Sequence, residues 1–109
     1  MYEYSATIVH VIDGDGCWVE AQLGFYMTVR MPLRILGVNA PEIVGPDRGN
    51  GLLAKAFLET ILPVGCAVTI KTAKPKDKFG RWLGSITLSD GRDVGTILVE
   101  SGHAKPFMV

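Results

Sequence analysis

A β-branched, roughly alternating run, Ser5-Ala6-Thr7-Ile8-Val9-His10-Val11-Ile12, stops at Asp13-Gly14-Asp15-Gly16 and resumes in the same style from Cys17 to Leu23. Period-two alternation on both sides of an Asp-Gly turn predicts a β-hairpin. A hairpin is not stable in water by itself, so the rest of the chain must cover its apolar face. With 109 residues there is room for one modest core, and residues 1–109 are expected to form a single domain.

The next segments read as short elements. Residues 26–38 predict a long third strand, in which Pro32 cannot donate a ladder hydrogen bond and is expected to mark a bulge or bend. Glycine and proline make 43–51 a loop. A helix follows, with Leu52, Leu53, Ala56, Phe57 and Ile61 on one face, Asn50 as cap and Pro63 stopping it at Leu62. Strands at about 66–72 and 81–88 flank the loop 73–80, and Asp90-Gly91 makes another turn. Asp93 caps a short helix at about 94–101, which Gly102 ends. Three strands, a helix, two strands and a short C-terminal helix predict a mainly β, α+β fold. The architecture expected is a five-stranded Greek-key barrel of the OB type, whose faces and loops often bind nucleic acid.

Composition limits the function classes. Apolar residues make up 48% and charged ones 20%, so the chain reads as globular and ordered. No apolar run approaches the roughly 20 residues needed to span a bilayer, which excludes a membrane helix. No secretion signal opens the sequence, and a cytoplasmic location is the default expectation. Eleven basic and eleven acidic residues cancel, so any attraction for a polyanion must be local. Cys17 and Cys66 read as small core or strand residues, a disulfide in an oxidising compartment being the alternative. His10 and His103 read as ordinary strand and surface residues.

Chemistry-bearing residues concentrate in three places. Asp13-Gly14-Asp15 brings carboxylates over a turn, and reads either as a plain hairpin turn or as a metal ligand set. In Leu33-Arg34-Ile35-Leu36-Gly37-Val38-Asn39-Ala40-Pro41-Glu42, Arg34 lies in an apolar strand, which demands a carboxylate partner or a polar pocket. Lys76-Asp77-Lys78-Phe79-Gly80-Arg81 sets basic groups around an aromatic ring, as in a solvated lysine loop or a nucleotide site.

In order and spacing, the Asp-Gly-Asp turn, Arg34 five residues before Asn-Ala-Pro-Glu, Asp-Lys-Phe-Gly-Arg and the ending Leu98 to Lys105 resemble the staphylococcal nuclease (thermonuclease) family. The resemblance runs from about Tyr4 to Lys105. It implies a calcium-dependent phosphodiesterase acting on single-stranded DNA and RNA with little base preference and leaving 3′-phosphate ends. By that resemblance Asp15 is a carboxylate ligand of the metal, Asn39 stands where the family usually has a second aspartate ligand, and Ala40 offers its carbonyl. Glu42 matches the glutamate that orients or deprotonates water, Arg34 and Arg81 match the arginines that grip the scissile phosphate, and Lys78 and Phe79 match positions lining the nucleotide site. Asn39 brings no charge, so calcium binding is expected to be weak. Gly16 replaces the family's common threonine. The alternative is a catalytically silent module of the same fold that binds nucleic acid or a peptide. Apolar surface beside the barrel is expected to be covered by a second chain or by Pro106-Phe107-Met108-Val109, the homo-oligomer being the simpler cover.

Overall fold

The computed structural model describes residues 2–76 and 80–107. The hairpin is longer than the alternation suggests. β1 (Tyr2–Asp13) and β2 (Gly16–Gly24) pair antiparallel from Ala6↔Ala21 to Asp13↔Gly16, with register shifts between Ile8 and His10 and between Val11 and Asp13. Such bulges sharpen the twist that a small barrel needs. β3 (Met27–Ile35) continues the meander, and after the Leu36-Gly37 turn a two-residue β4 (Val38–Asn39) leaves the barrel. α1 (Arg48–Ile61) is followed by β5 (Ala67–Lys76), β6 (Trp82–Leu88), α2 (Val94–Glu100) and β7 (Lys105–Pro106). β5 pairs with β1 and with β6, and β6 runs parallel to β3 at Leu33↔Trp82, Arg34↔Leu83 and Ile35↔Gly84. The order β1-β2-β3-β6-β5 thus closes into the expected five-stranded, OB-like barrel with two helices.

Alternation decides which residues fill it. Ile8, Cys17, Val19, Leu33, Ile35, Ile70 and Ile86 point inward and are fully buried, and Leu58, Leu62, Val94 and Leu98 of the helical segments close the core. Cys17 and Cys66 are free thiols, and burial pushes the Cys17 thiol up to about 12, so it behaves as a small apolar residue. Among the described residues no helix is long and apolar enough to cross a membrane.

Three local expectations are corrected. The third strand ends at Ile35, because Gly37 takes a φ of 86° and reverses the chain before β4. Pro32 makes no bulge: it pairs with Trp18 in unbroken register. The Ile35 amide donates to Asp15 O on the β2 side and the Leu36 amide to Gly84 O on the β6 side. Alternation therefore turns the nitrogen of Pro32 toward β6, which pairs with β3 only from Leu33 onward, and no ladder bond is lost.

The third correction concerns α1, which starts at Arg48 rather than after Asn50; Asn50 lies in its first turn and donates to Asp47 Oδ1 at 3.1 Å. Its buried face is Gly51, Ala54 and Leu58, whereas Leu52 and Leu53 are exposed. Backbone approach is the reason. A Cβ at Gly51 would overlap the Glu42 carbonyl, and one at Gly14 would lie 2.7 Å from Ala54 Cβ and 2.8 Å from Ala40 Cβ. The helix thus rests directly on the Asp13–Asp15 turn and on the Ala40–Glu42 segment, and small residues are the ones that fit.

Candidate phosphodiester site

Four segments meet where the barrel's first turn faces the exit of β3. The β1–β2 turn brings Asp13 and Asp15, β3 brings Arg34, the strand exit brings Asn39, Ala40, Pro41 and Glu42, and the start of β6 brings Arg81. Together these eight residues line one polar pocket of about 240 Å³. Arg34, Glu42, Arg81, Asp15, Asn39 and Ala40, separated by up to 66 positions in sequence, are therefore neighbours. Lys78 and Phe79 lie outside the described residues.

Asp15 is the anchor. Its side chain is 9% exposed, its Oδ2 accepts from the Ala40 amide at 3.0 Å, and the same oxygen lies 3.5 Å from Arg34 Nη2. Its backbone oxygen accepts from the Ile35 amide at 2.8 Å, which pins the turn to β3. Arg34, 11% exposed, also reaches Asn39 Oδ1 at 3.3 Å and the Ile35 oxygen at 3.4 Å, and its guanidinium sits 5.7 Å from the centre of the Phe107 ring. The tail holds that ring in place: β7 pairs with β4 at Val38↔Pro106 and Asn39↔Lys105, and the Phe107 amide donates to Gly37 O at 2.9 Å. The paired-carboxylate and polar-pocket readings of Arg34 are thus one arrangement. Buried charge is tolerated because each partner is compensated.

Asp13, noted in sequence only as part of the Asp-Gly-Asp turn and given no role of its own, joins the site. Its Oδ1 accepts from the Asp15 amide at 3.2 Å, and burial, followed by the repulsion of Asp15, raises its carboxyl to about 6. Arg81 opposes that shift. A Cβ at Gly16 would stand 3.0 Å from Asp13 Oδ1 and 3.7 Å from Arg81 Nη1, so the glycine keeps β2 out of the space between carboxylate and guanidinium. The signal in sequence was the doubled aspartate, but Asp-Gly reads first as a turn. Glu42 is exposed at the rim of the pocket.

Two neighbouring carboxylates that repel each other, with an amide oxygen beside them, are hard oxygen donors of the kind calcium takes. Among the described residues no group of three or more Asp, Glu, His or Cys side chains is poised around a metal position. Asp15 Oδ2 and Asn39 Oδ1 are moreover already held by Arg34. The donors fit such an ion in kind.

A small closed barrel with Asp13 and Asp15 from its first turn, Glu42 from the exit of β3, and Arg34 and Arg81 from two further segments on one pocket defines an OB-like domain with a charged site. The chain belongs to the staphylococcal nuclease homologue family, whose match covers residues 32–109. It is also similar to Endonuclease YhcR of Bacillus subtilis (strain 168), with 28% identity over 117 aligned residues. That match takes in 98% of this chain but spans about 9% of the relative's length.

Proposed function

We propose that this chain is a calcium-dependent nuclease that hydrolyses phosphodiester bonds of single-stranded DNA and RNA with little sequence preference, leaving 3′-phosphate ends. The observation that carries the proposal is the meeting of Asp15, Arg34, Glu42 and Arg81 on one pocket. A phosphodiester repels an anionic nucleophile, and negative charge grows on its non-bridging oxygens in the transition state. Arg34 and Arg81 are the forks that donate to those oxygens. Glu42, at the solvent-facing rim, orients a water and takes its proton as the new O–P bond forms. The P–O5′ bond breaks, and the leaving oxygen takes up a proton to become the 5′-hydroxyl. Asp15, Asn39 and the Ala40 carbonyl would hold calcium, with Asp13 beside them; when bound, the ion supplies positive charge to the phosphate. Phe79 and Lys78 are assigned to the nucleotide by the resemblance.

One observation favours the second reading, a silent binding module: Arg34 is already engaged by Asp15 and Asn39. Phosphate would have to compete for its donors. Digestion of a single-stranded oligonucleotide with calcium and with EDTA separates the readings. Cleavage in calcium alone supports the nuclease, and binding without turnover in any divalent ion supports the silent module.

A further inference from the structure

The β2–β3 hairpin runs past the closed part of the barrel. β2 pairs with β1 only as far as Ala21, and β3 pairs with β6 only from Leu33, so residues 22–30 are all exposed. Gly24↔Met27 pairing leaves Phe25-Tyr26 as a two-residue loop, with φ of 53° and 62°. Loops of that shape favour Asn-Gly or Gly-Gly, and for other residues the left-handed conformation costs on the order of 1–2 kcal/mol each. Here both are aromatic and almost wholly exposed, at 95% and 108%. The inward stripe of the barrel also continues uncovered along Leu23, Met27 and Val29, beside an apolar groove of about 310 Å³ that Met31, Tyr4 and Trp82 help to line.

Among the described residues the edge of this arm is left unpaired, like its face. Because the Leu36 amide points to β6 and the Ile35 amide to β2, alternation turns the N–H and C=O of Thr28 and Arg30 away from β2. Among the described residues no strand pairs with that edge. An open apolar edge is a template for another strand.

We infer that this edge pairs with a second copy of the chain, β3 against β3, antiparallel about a two-fold axis at Val29. In that register Thr28 faces the partner's Arg30 and exchanges two hydrogen bonds with it, and symmetry doubles them to four. Met27 meets the partner's Met31 and Val29 meets the partner's Val29, so the apolar stripe is shared on one side. No two like charges stand opposite, whereas an axis at Arg30 would oppose two guanidinium groups. Pro32, with no donor, falls at the end of the paired segment and next to the partner's Tyr26. The area is of the right size: Phe25 and Tyr26 offer on the order of 300–500 Å². Leu23, Met27, Val29 and the strand backbone supply the rest of the roughly 800 Å² per partner of a stable interface.

Sedimentation equilibrium of the full chain up to several hundred micromolar, with amide exchange read residue by residue, tests the pairing. The expected result is a dimer in which the Thr28 and Arg30 amides gain protection as concentration rises. Val29→Lys puts two ammonium groups on the axis, and Thr28→Pro removes an edge donor without removing apolar surface; each is expected to weaken association at least about tenfold while circular dichroism stays native. A chain that stays monomeric throughout overturns the inference, including one that cosediments with phosphatidylcholine–phosphatidylserine vesicles, which would make a lipid surface the occupant. A dimer that survives both substitutions also overturns it.

Discussion

Asp13→Asn isolates the electrostatic cost of the Asp13–Asp15 carboxylate pair. Burial and Asp15 raise the Asp13 carboxyl from 3.8 to about 6, so the folded state holds its proton more tightly than the unfolded chain does. Stability from the protonated carboxyl is fully present below about pH 3.8 and is lost as the pH rises through about 6. Each tenfold change in proton affinity corresponds to about 1.4 kcal/mol. The ionised Asp13 therefore costs the fold about 1–3 kcal/mol at pH 8, the lower value allowing for solvent screening of a half-buried group. Asparagine keeps an oxygen to accept from the Asp15 amide, the 3.2 Å bond that shapes the turn, and removes the charge. Thermal unfolding in EDTA, followed by circular dichroism, should show the variant melting about 5–15 °C higher than the parent at pH 8. Most of that gap should be absent at pH 4. Equal gains at both pH values, or a parent that is the more stable protein at pH 8, would show that the Asp13 charge does not destabilise the fold.

Other consequences can be measured separately. Asn39→Asp adds a charge to the proposed ligand set and should tighten calcium by about tenfold or more in calorimetry; unchanged affinity would remove Asn39 from that set. Gly51→Ala drives a methyl group into the Glu42 carbonyl, so urea unfolding should show a loss of about 1–3 kcal/mol together with reduced cleavage; a neutral result would contradict the described helix contact. Binding of a single strand should depend shallowly on salt, with a slope corresponding to roughly two or three phosphates from Arg34, Lys78 and Arg81. A slope several times steeper would point to a longer basic track.

Strand positions were readable because alternation survives wherever one face is buried and no bulge intervenes, as from Cys17 through Ala21 and again from Met31 to Ile35. The Asp93 cap was readable for a local reason: its carboxylate accepts from the Thr96 amide at 2.9 Å, a bond made within one turn. The face of α1 was not. Its contacts are made by Gly51 and Ala54, whose smallness admits the Glu42 carbonyl and the Asp13–Asp15 turn, while pattern reasoning gives weight to bulk and so favours Leu52 and Leu53. The Phe25-Tyr26 turn was hidden because neither residue favours a positive φ. Within the pocket, Arg34, Glu42 and Arg81 stood out as charges at informative spacing, but the pairing of Arg34 with Asp15 and its contact with Phe107 depend on the barrel and tail folding back together. Asp13 shows the same limit, since its weakened acidity arises from burial and from Asp15 beside it and not from its place in the chain.

The most direct measurement compares the parent with Glu42→Gln on one end-labelled single-stranded oligonucleotide in millimolar calcium, reading affinity and cleavage in parallel. Glutamine keeps the shape and loses the base, so the account predicts binding within a few-fold of the parent, turnover lower by about two orders of magnitude or more, and 3′-phosphate ends on the parent's products. Full cleavage by Glu42→Gln, or a parent that binds the oligonucleotide and leaves it intact, would contradict it.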